Sequence, residues 1–511
     1  MKKWVVIRRA SQIFFLFLFI YILWSTTYPL KGVISPEVLF KIDPLVILLT
    51  SLSERIILPG IVLSIFMILL TLAFGRFFCG WVCPLGAAID FAAFLKRGHF
   101  RKEEDTANAR LRKPKFFILG IIALSALFGL QIAWVFDPVV IMARFVSLNL
   151  IPLVIFAMDR FFGLPIRGFN LCGAFYDFYR GLKSSLLGVN VYYFSHSVII
   201  FVFFLAIFCA GFLIKRIWCR ALCPLGAIYA LAAKPALLNR EVKECLRCGK
   251  CKSVCRMGAI KNDASYLKGE CILCMDCVYD CPDNITRFTL LEKGRSLTGF
   301  GFRKPDKIKN AAINKDEKGI SRRNFILLGI FSFFAVGFRK RGFSGERSVI
   351  RPPAAIREDE FVDRCLRCGN CMKVCSTNGL QPVMFQSGLE GIWTPQLLPE
   401  IGYCDYNCAL CGNVCPTGAI RRISLAEKRE TKLGLAKVNC SICLAWAEKQ
   451  QCLVCQEYCP VLEKAIKIDE AIIDGITVLR PVVDKNLCVG CGICQNKCPV
   501  RPVRAIKVSP L

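Results

Sequence analysis

Two pairs of cysteines with identical spacing stand at the ends of two apolar stretches of the chain. The segments "FCGWVCPLGA" and "WCRALCPLGA" share the pattern Cys-x-x-x-Cys-Pro-Leu-Gly-Ala. Cysteines four residues apart lie on one face of a helix, and two such pairs together offer four soft ligands. Close helix packing around small residues is the alternative explanation. Because the pattern occurs twice, we expect a metal or redox centre with the ligands Cys79, Cys83, Cys219 and Cys223.

Further along the chain, cysteines occur in dense runs of a different kind. "CLRCGKCKSVC" and "CILCMDCVYDCP" each carry the run Cys-x-x-Cys-x-x-Cys-x-x-x-Cys. Thiolates at this spacing wrap one 4Fe-4S cubane, and the fourth cysteine of each run ligates the neighbouring cluster. Structural zinc, the alternative, is usually held by two separated pairs. The crossed rule predicts two clusters, one held by Cys245, Cys248, Cys251 and Cys281, the other by Cys271, Cys274, Cys277 and Cys255.

The cluster pattern returns in the C-terminal part, where crossed ligation predicts four further clusters. Their ligand sets are Cys365, Cys368, Cys371 and Cys415; Cys404, Cys408, Cys411 and Cys375; Cys443, Cys452, Cys455 and Cys498; and Cys488, Cys491, Cys494 and Cys459. The second set departs from the pattern, with a three-residue first gap and Ser376 in place of the usual proline. Of the remaining cysteines, Cys209 is expected to pack in an apolar span, Cys440 is an alternative ligand to Cys443, and Cys172 has no assignment.

The composition separates the chain from several classes of protein. It has 511 residues, 55% of them hydrophobic, and a mean hydropathy of +0.48, which is too apolar for an ordinary soluble protein. Its 31 cysteines stand mostly in cluster-type runs, whereas disulfides would suit a small secreted chain. The formal charge of +30 could serve nucleic acid, but much of the basic excess borders apolar segments. That placement indicates membrane topology and contact with lipid headgroups.

Four stretches are long enough, or nearly so, to cross about 30 Å of hydrocarbon. They are Ile13 to Tyr28, Ile56 to Phe74, Phe116 to Phe136 and Val198 to Ile214. The first ends without a cleavage pattern and is expected to be an anchor. Eight lysines and arginines between 96 and 115, against three between 31 and 55, put the N-terminus and the later loop in the cytoplasm. The stretch 149–165 is interrupted by Asp159 and Arg160 and is expected to be interfacial or re-entrant.

Two Asp-Pro sequences indicate a repeat within this part. "IDPLV" and "FDPVV" each follow a span that leaves the cytoplasm. Together with the cysteine motifs, they predict two helix pairs related by an axis along the membrane normal. Asp43 and Asp137 are most simply helix N-caps followed by proline. A carboxylate near the outer face could instead accept a proton from quinol, so both residues are also candidates for a quinol site.

A charged linker is followed by "SRRNFILLGIFSFFAVGFRKRG". Its Arg322 and Arg323 fit a twin-arginine export signal placed inside the chain, a route that suits domains already folded around cofactors. An amphipathic or buried helix is the alternative, and the basic residues after the apolar part oppose the positive-inside trend. The predicted domains are 1–235 (membrane), 236–300 (cytoplasmic ferredoxin with two clusters), 301–323 (linker), 324–340 (signal or anchor helix), and 351–425 and 426–511 (ferredoxins with two clusters each).

Several cofactors find no ligands in this sequence. Its two histidines, His99 in a cytoplasmic loop and His196 at the outer start of a span, cannot jointly hold a membrane haem. There is no Cys-x-x-Cys-His for attached haem, and neither a Gly-x-Gly-x-x-Gly in a strand-turn-helix setting nor a Walker A sequence for a nucleotide. One-electron transfer through clusters is the chemistry that remains.

These motifs resemble a known pair of proteins. The first part, with "CGWVCPLG", "CRALCPLG" and a following ferredoxin pair, is similar to the membrane ferredoxin subunit of quinol dehydrogenases that feed periplasmic nitrate reductase. The tail, with "SRRNF", "RPPAA", "CLRCGNC" and "CLVCQEYCP", resembles the exported partner ferredoxin of that system and the methylamine-utilisation ferredoxin. The chain thus looks like a fusion of the two. The resemblance implies quinol oxidation at the membrane and electron delivery to a periplasmic acceptor.

We therefore expect a polytopic α-helical membrane domain of four spans plus an internal signal or anchor helix, joined to α+β bacterial-type ferredoxin domains with six 4Fe-4S clusters. The expected function is quinol oxidation and electron relay from the membrane quinone pool to a periplasmic redox enzyme or carrier, in the bacterial inner membrane and without nucleic acid. Two alternatives stay open, a conduit from a cytoplasmic donor and a copper reductase or oxidase assembly factor, which the membrane motif also resembles. A scaffold with structural zinc would be colourless.

Overall fold

The structure is a computed structural model that describes residues 2–96 (except 31 and 33), 105–168, 173–183, 192–290 (except 243–244, 246–247 and 283–284) and 349–511 (except 474–475). The predicted linker and twin-arginine stretch fall outside the described residues, as does Cys172. In chain order, the described residues form a helical domain, a first ferredoxin domain and a larger C-terminal domain.

The N-terminal domain is built from helices of very different lengths. They are α1 (Lys2–Trp24), α2 (Val38–Lys41), α3 (Pro44–Glu54), α4 (Ile61–Phe74), α5 (Phe77–Trp81), α6 (Pro84–Leu95), α7 (Asp105–Leu127), α8 (Ala133–Phe136), α9 (Pro138–Phe145), α10 (Ile151–Gly168), α11 (Ala174–Leu182), α12 (Ser197–Leu213) and α13 (Pro224–Ala232). A π turn, Val146–Leu150, joins α9 to α10, and another, Trp218–Leu222, precedes α13. The second π turn contains Cys219, in keeping with the frequent use of such turns at functional sites.

Four helices begin in the same way, with a capping side chain followed by proline. Asp43 caps α3 and Asp137 caps α9, which confirms the N-cap prediction for both residues. Cys83 and Cys223 take the same position before α6 and α13. Proline suits the first helical position because its missing N–H needs no partner there and its φ is already helical. The repeated motifs therefore start helices at four corresponding places.

These four helices pack crosswise. The Asp-capped α3 contacts α4 and also α13, which belongs to the second cysteine motif. Its counterpart α9 contacts α12 and also α6, which belongs to the first motif. Each half of the repeat thus supports the other, and the arrangement brings the two cysteine motifs together.

The helices differ from the predicted spans in length and position. Among the described residues, two helical runs are by themselves long and apolar enough to cross a membrane, Lys3–Trp24 and Pro138–Gly163. The second shows that the stretch 149–165 is not an isolated segment, because α9 continues through the π turn into α10. Its interfacial or re-entrant position stays a prediction. Its Asp159 is accommodated by an ion pair with Lys183 of 3.0 Å.

The other predicted spans correspond to different helix bounds. The second becomes the shorter helix α4, of 14 residues, whereas the fourth keeps its length of 17 residues in α12 and begins one residue earlier. The third starts earlier than predicted and ends at Leu127, nine residues before the predicted end at Phe136. A membrane domain of four spans therefore stays a proposal.

The first ferredoxin domain is a small α+β unit. Strand β1 (Leu238–Val242) pairs antiparallel with β2 (Thr286–Leu290), with Leu238 opposite Leu290. The short helices α14 (Lys250–Val254) and α15 (Asp276–Tyr279) lie between them in the sequence, each beside a cysteine run.

The C-terminal domain repeats this plan with short helices and two-stranded sheets. Its strands are β3 (Leu380–Pro382), β4 (Pro395–Leu397), β5 (Gly434–Val438), β6 (Ile466–Ile473), β7 (Ile476–Val483) and β8 (Ile506–Pro510), paired as β3 with β4, β5 with β8 and β6 with β7, all antiparallel. Its helices are Glu358–Arg364, Asn370–Lys373, Leu410–Asn413, Leu425–Glu430, Leu444–Ala447, Val454–Glu457 and Ile493–Lys497.

The two cysteine-rich domains dock at opposite ends of the helical domain. Near the start of α1, Arg8 pairs with Asp276 of the first ferredoxin domain at 3.3 Å. At the other end of α1, Lys373 of the C-terminal domain donates to the carbonyl oxygens of Leu23 and Trp24. Helix α1 is about 34 Å long. Its contacts with the two domains, at Arg8 and at Leu23, lie about 22 Å apart along its axis.

Candidate redox centres

The four cysteines of the repeated motif form one buried group. Cys79, Cys83, Cys219 and Cys223 are all buried, and every pair among them lies within electrostatic range. The backbone N–H of Gly86 donates to the Cys83 sulfur at 3.4 Å, and that of Gly226 donates to the Cys223 sulfur at 3.2 Å. Hydrogen bonds to sulfur stabilise thiolates and tune the potential of a cluster that they hold. We refer to these residues as the four-cysteine centre.

Two buried arginines that the sequence analysis did not single out complete this centre. Arg76 stands three residues before Cys79 and Arg216 three residues before Cys219, so the repeat is really Arg-x-x-Cys-x-x-x-Cys-Pro-Leu-Gly-Ala. The Arg76 guanidinium lies 3.9 Å from the Cys79 sulfur and also close to Cys223 of the other motif. The arginine at the same position in both motifs is the sequence signal from which Arg76 and Arg216 could have been predicted.

Arg216, which precedes the second cysteine motif, likewise contacts residues of the first motif. Its Nη1 donates to the carbonyl oxygen of Cys79 at 2.7 Å, and its Nη2 reaches the carbonyl oxygen of Gly86 at 3.4 Å. Four thiolates and the iron of a cluster carry net negative charge in a medium of low dielectric constant, so nearby guanidinium groups stabilise them. The two arginines therefore suit a thiolate-held redox cofactor.

Each of these arginines also has a buried carboxylate. Arg216 binds Asp90 at 2.7 Å, and Arg76 binds Glu270 of the first ferredoxin domain at 2.9 Å. Burial alone would raise the pKa of Glu270, but Arg76 and Lys115 outweigh it and hold that pKa below its usual value. The four-cysteine centre is thus tied electrostatically to the first ferredoxin domain.

The first ferredoxin domain also touches the centre directly. A Cβ added at Gly80 would lie 2.1 Å from the carbonyl oxygen of Ile272, so only glycine allows this approach. The neighbouring Trp81 indole donates to the carbonyl oxygen of Leu273 at 3.0 Å. Since Ile272 and Leu273 separate Cys271 from Cys274, a predicted cluster lies against the four-cysteine centre.

The structure gathers the predicted ferredoxin ligands into crossed sets of four. Five cavities are each lined by all four cysteines of one predicted set. The irregular set with Cys375 is among them, despite its longer gap and Ser376.

The cysteines of the sixth predicted set, Cys488, Cys491, Cys494 and Cys459, also lie near one another. Cys491 and Cys494 lie within electrostatic range of Cys488, and Cys491 also of Cys459. The backbone N–H of Cys404 donates to the carbonyl oxygen of Cys491 at 2.8 Å, which joins this set to its neighbour. The C-terminal domain therefore arranges its cysteines for a continuous series of clusters.

Among the described residues, Cys209 and Cys440 line none of these cavities. Cys443, and not the exposed Cys440, lines the cavity with Cys452. Cys209 is exposed on α12, where the sequence analysis expected it to be packed.

Burial makes several of the cluster thiols weaker acids. It raises the pKa of Cys368 to about 12 and that of Cys455 to about 12. Iron binding must therefore replace protons, as metal binding to cysteine generally does. No group of three or more His, Cys, Asp or Glu side chains in the described part of the chain is arranged to hold a single metal ion. In the five cavities, the thiols instead surround a space, as ligands of a cubane do.

The two candidate quinol-side carboxylates lie against each other. Asp43 Oδ1 accepts the N–H of Leu45 at 2.9 Å, and Asp137 Oδ1 accepts that of Val140 at 2.8 Å. The two carboxyl groups are within hydrogen-bonding range of one another, and neither Oδ2 has any other donor among the described residues. Two neighbouring buried carboxylates would repel each other if both were ionised, so a single shared proton would stabilise the pair.

The buried Tyr229 lies between this pair and the cysteines. It is within electrostatic range of both aspartates and of Cys79 and Cys83. Its ring packs on Phe78, with the centroids 5.6 Å apart.

Comparison with known proteins identifies 4Fe-4S binding domains in several parts of the chain. A family model described as a 4Fe-4S binding domain matches residues 56–103, 197–243 and 409–434, and another with the same description matches 481–504. The first two matches contain the two cysteine motifs of the four-cysteine centre. The methylamine utilization ferredoxin-type protein MauM of Paracoccus denitrificans is 35% identical over 164 residues, 32% of this chain and 71% of that protein.

The chain belongs to the family of ferredoxin-type proteins that includes MauM and NapG. The ferredoxin-type protein NapG of Escherichia coli is 31% identical over 186 residues, 35% of this chain and 77% of that protein. An uncharacterized protein of Methanocaldococcus jannaschii, MJ0750, is 26% identical over 305 residues, 58% of this chain and its own full length. No solved structure matches the chain. This member of the MauM and NapG family is an iron-sulfur electron-transfer protein with ferredoxin-type 4Fe-4S domains.

Proposed function

We propose that this chain is an integral membrane protein that carries electrons between the two faces of a bilayer. Electrons pass between the first ferredoxin domain on the cytoplasmic side and the four clusters of the C-terminal domain on the periplasmic side. The four-cysteine centre is the stepping stone between them. In total, the ferredoxin cysteines would hold six 4Fe-4S clusters.

The docking of the two cluster domains at opposite ends of the helical domain carries this proposal. Arg8 and Trp81 bind the first ferredoxin domain, whereas Glu54 binds Arg364 of the C-terminal domain at 2.9 Å. The full length of α1, about 34 Å, is close to the roughly 30 Å of a hydrocarbon core, and the contacts with the two domains lie toward its two ends. Direct transfer between the two domains over this distance would be slow, so an intermediate centre is needed.

Apolar side chains on the outside of the helical domain support its position in a bilayer. Phe17 of α1, Phe66 of α4, Phe161 of α10 and Val202 of α12 are all exposed. A soluble monomer rarely exposes this much large apolar surface on several helices. Lipid would cover it, and the twin-arginine-like stretch would export the C-terminal domain.

An iron-sulfur cluster is the cofactor that best fits the four-cysteine centre. Four thiols, two hydrogen bonds from glycine N–H groups and the guanidinium groups of Arg76 and Arg216 suit an anionic cluster. When bound, the cluster would accept and release one electron at a time. Copper would fit the alternative role in oxidase assembly, and metal analysis of the purified chain separates the two.

The electron source has two candidates. A soluble cytoplasmic donor is favoured by the contact between the first ferredoxin domain and the centre. Quinol oxidation is favoured by Asp43 and Asp137, because a carboxyl pair with one proton can take up a proton released by a quinol. In both cases the acceptor is a periplasmic redox enzyme or electron carrier.

Quinone-free liposomes loaded with ferricyanide test the proposal. The whole chain is reconstituted anaerobically, dithionite is added outside, and the bleaching of trapped ferricyanide is followed. We expect bleaching in proportion to the protein, and its loss in Cys219→Ser with the ferredoxin clusters retained. Roughly 24 iron atoms would account for the six predicted clusters, and any excess would belong to the centre.

Three possible results of this experiment distinguish a conduit that needs no quinol, quinol oxidation and the absence of electron transfer across the membrane. Bleaching with dithionite alone supports a conduit that needs no quinol. Bleaching only after a reduced quinol analogue is added supports quinol oxidation. No bleaching with either reductant, in a fully loaded protein, would refute electron transfer across the membrane by this chain alone.

A further inference from the structure

A row of aromatic rings leads from the four-cysteine centre toward the C-terminal domain. Trp218 is the residue before Cys219 and is buried. Its ring contacts that of Phe203 on α12, with centroids 6.4 Å apart. Phe203 in turn contacts Trp393, with centroids 6.1 Å apart. The row therefore begins beside one ligand of the centre and ends in the other domain.

Trp393 enters the helical domain from the loop between β3 and β4. It is 8% exposed, and its ring also meets Trp134 at 5.8 Å. Its backbone has a φ of 62°, in the left-handed region that a bulky side chain rarely adopts. Such strain persists only where the surroundings hold it, and it is concentrated at functional sites. Packing of the indole against the helical domain holds this residue in place.

Two buried arginines continue the path from Trp393 to a cluster. The Arg144 guanidinium lies 4.4 Å from the centre of the Trp393 ring. Its Nε donates to the carbonyl oxygen of Arg367 at 2.8 Å. That carbonyl belongs to the peptide that joins Arg367 to Cys368, a predicted cluster ligand. The gap between the last ring and the cluster is therefore bridged by a cation and one hydrogen bond.

We propose that Trp218, Phe203 and Trp393 form the route by which electrons move between the four-cysteine centre and the cluster of Cys365, Cys368, Cys371 and Cys415. One electron leaves the reduced centre, the oxidised cluster gains it, and no bond is made or broken. The rings provide electronic coupling and are not themselves oxidised. The inference rests on the proposed function and adds the residues that join its two halves.

A purely structural role for Trp393 makes a different prediction. If the indole only anchors the C-terminal domain, any apolar residue that fills the space should serve about equally well. If the aromatic ring couples the two centres, Trp393→Phe should keep much of the rate and Trp393→Leu should lose it. The rate of electron tunnelling falls steeply as the distance between coupled groups grows. Replacing the indole of Trp393 by leucine removes one ring and so lengthens the gap between Phe203 and the cluster.

The liposome assay measures this difference in the whole chain. Dithionite outside and ferricyanide inside are both saturating, so transfer within the chain limits the rate. We expect Trp393→Leu to slow bleaching on the order of tenfold or more and Trp393→Phe to stay within about threefold. Iron content and the melting temperature are measured on each variant. Trp446→Leu is the matched control, because Trp446 also carries an arginine, Arg480, on its ring but lies off the route.

The possible outcomes separate the route from the function. Equal rates in Trp393→Leu and the unchanged chain would overturn the route, as would equal slowing by leucine and phenylalanine. If Trp393→Leu does not fold, Phe203→Leu decides, since slower bleaching supports the route and an unchanged rate overturns it. Failure of the unchanged chain to bleach ferricyanide refutes the proposed function itself.

Discussion

Arg76 and Arg216 show how single residues connect the two cysteine motifs. Each stands three residues before its own motif and reaches atoms of the other. The thiol sets could be predicted from spacing alone, because the crossed ligation of ferredoxins is a local rule. The repeated arginine could have been noticed in the sequence, but its contacts could not be predicted, since they join residues 130 or more positions apart. The contact between Asp43 and Asp137 likewise joins residues that are distant in the sequence.

Removing the Arg216 charge should make the four-cysteine centre harder to reduce. Its guanidinium donates to Cys79 and Gly86 carbonyls and pairs with Asp90. We expect Arg216→Gln to lower the midpoint potential of the centre by about 60 mV or more, equivalent to 1.4 kcal/mol for one electron. An anaerobic redox titration followed by electron paramagnetic resonance measures this. Arg364→Gln, at the other end of the helical domain, should leave that potential unchanged, and an equal shift in both variants would contradict the argument.

The Asp43 position should tolerate asparagine better than alanine. Asparagine still caps α3 and can donate a hydrogen bond to Asp137 in place of the shared proton. Alanine loses the cap, at a cost of about 1 kcal/mol, and leaves Asp137 without its partner. Thermal melting of the detergent-purified chain compares the two variants. A melting temperature as low for Asp43→Asn as for Asp43→Ala would argue against a shared proton.

The predicted spans differ from the structure where turns interrupt apolar runs. The second predicted span is helical only from Ile61, after Gly60 with a φ of 112°, and the third ends at Leu127, before Gly129 with a φ of 81°. The helices that start at a capped proline, α3, α6, α9 and α13, all lie outside the predicted spans. The charged Asp159 also hid the continuation of α9 into α10 from a hydropathy analysis. Its charge is paired with Lys183, which lies on a neighbouring segment. Tertiary pairing of that kind cannot be read from a window of residues.

The contact between α5 and the first ferredoxin domain should be very sensitive to volume. A Cβ at Gly80 would lie 2.1 Å from the Ile272 carbonyl oxygen, which is backbone and cannot rotate away. We expect Gly80→Ala to cost about 1 to 3 kcal/mol and to loosen the first ferredoxin domain. Hydrogen exchange over residues 250–290 measures the loosening. Gly163→Ala is the matched control, since a Cβ at Gly163 meets nothing within 4 Å, and equal protection in both variants would contradict the docking.

At the scale of the whole molecule, the order of redox groups follows the order of domains in space. The first ferredoxin domain, the four-cysteine centre, the aromatic row and the C-terminal clusters succeed one another from one end of the helical domain to the other. The motifs predicted the cysteine-based members of this series but not the aromatic row. Their order could not be predicted, because it depends on contacts such as Trp393 with Phe203 between distant parts of the chain.

Cys440 offers a direct test of which side of the membrane carries the C-terminal domain. Its thiol is free and exposed and lies outside the predicted cluster sets, whereas Cys209 is exposed on the apolar helix α12. In spheroplasts, we expect a membrane-impermeant maleimide to label Cys440 and a lipid-soluble maleimide to label Cys209 as well. The substitutions Cys440→Ser and Cys209→Ser should each remove one signal.

Labelling of Cys440 only after lysis would place the C-terminal domain in the cytoplasm. Labelling of Cys209 by the impermeant reagent would mean that α12 faces water rather than lipid. Because the two cysteines report on different surfaces of one chain, the experiment separates the topology of the C-terminal domain from the membrane insertion of the helices.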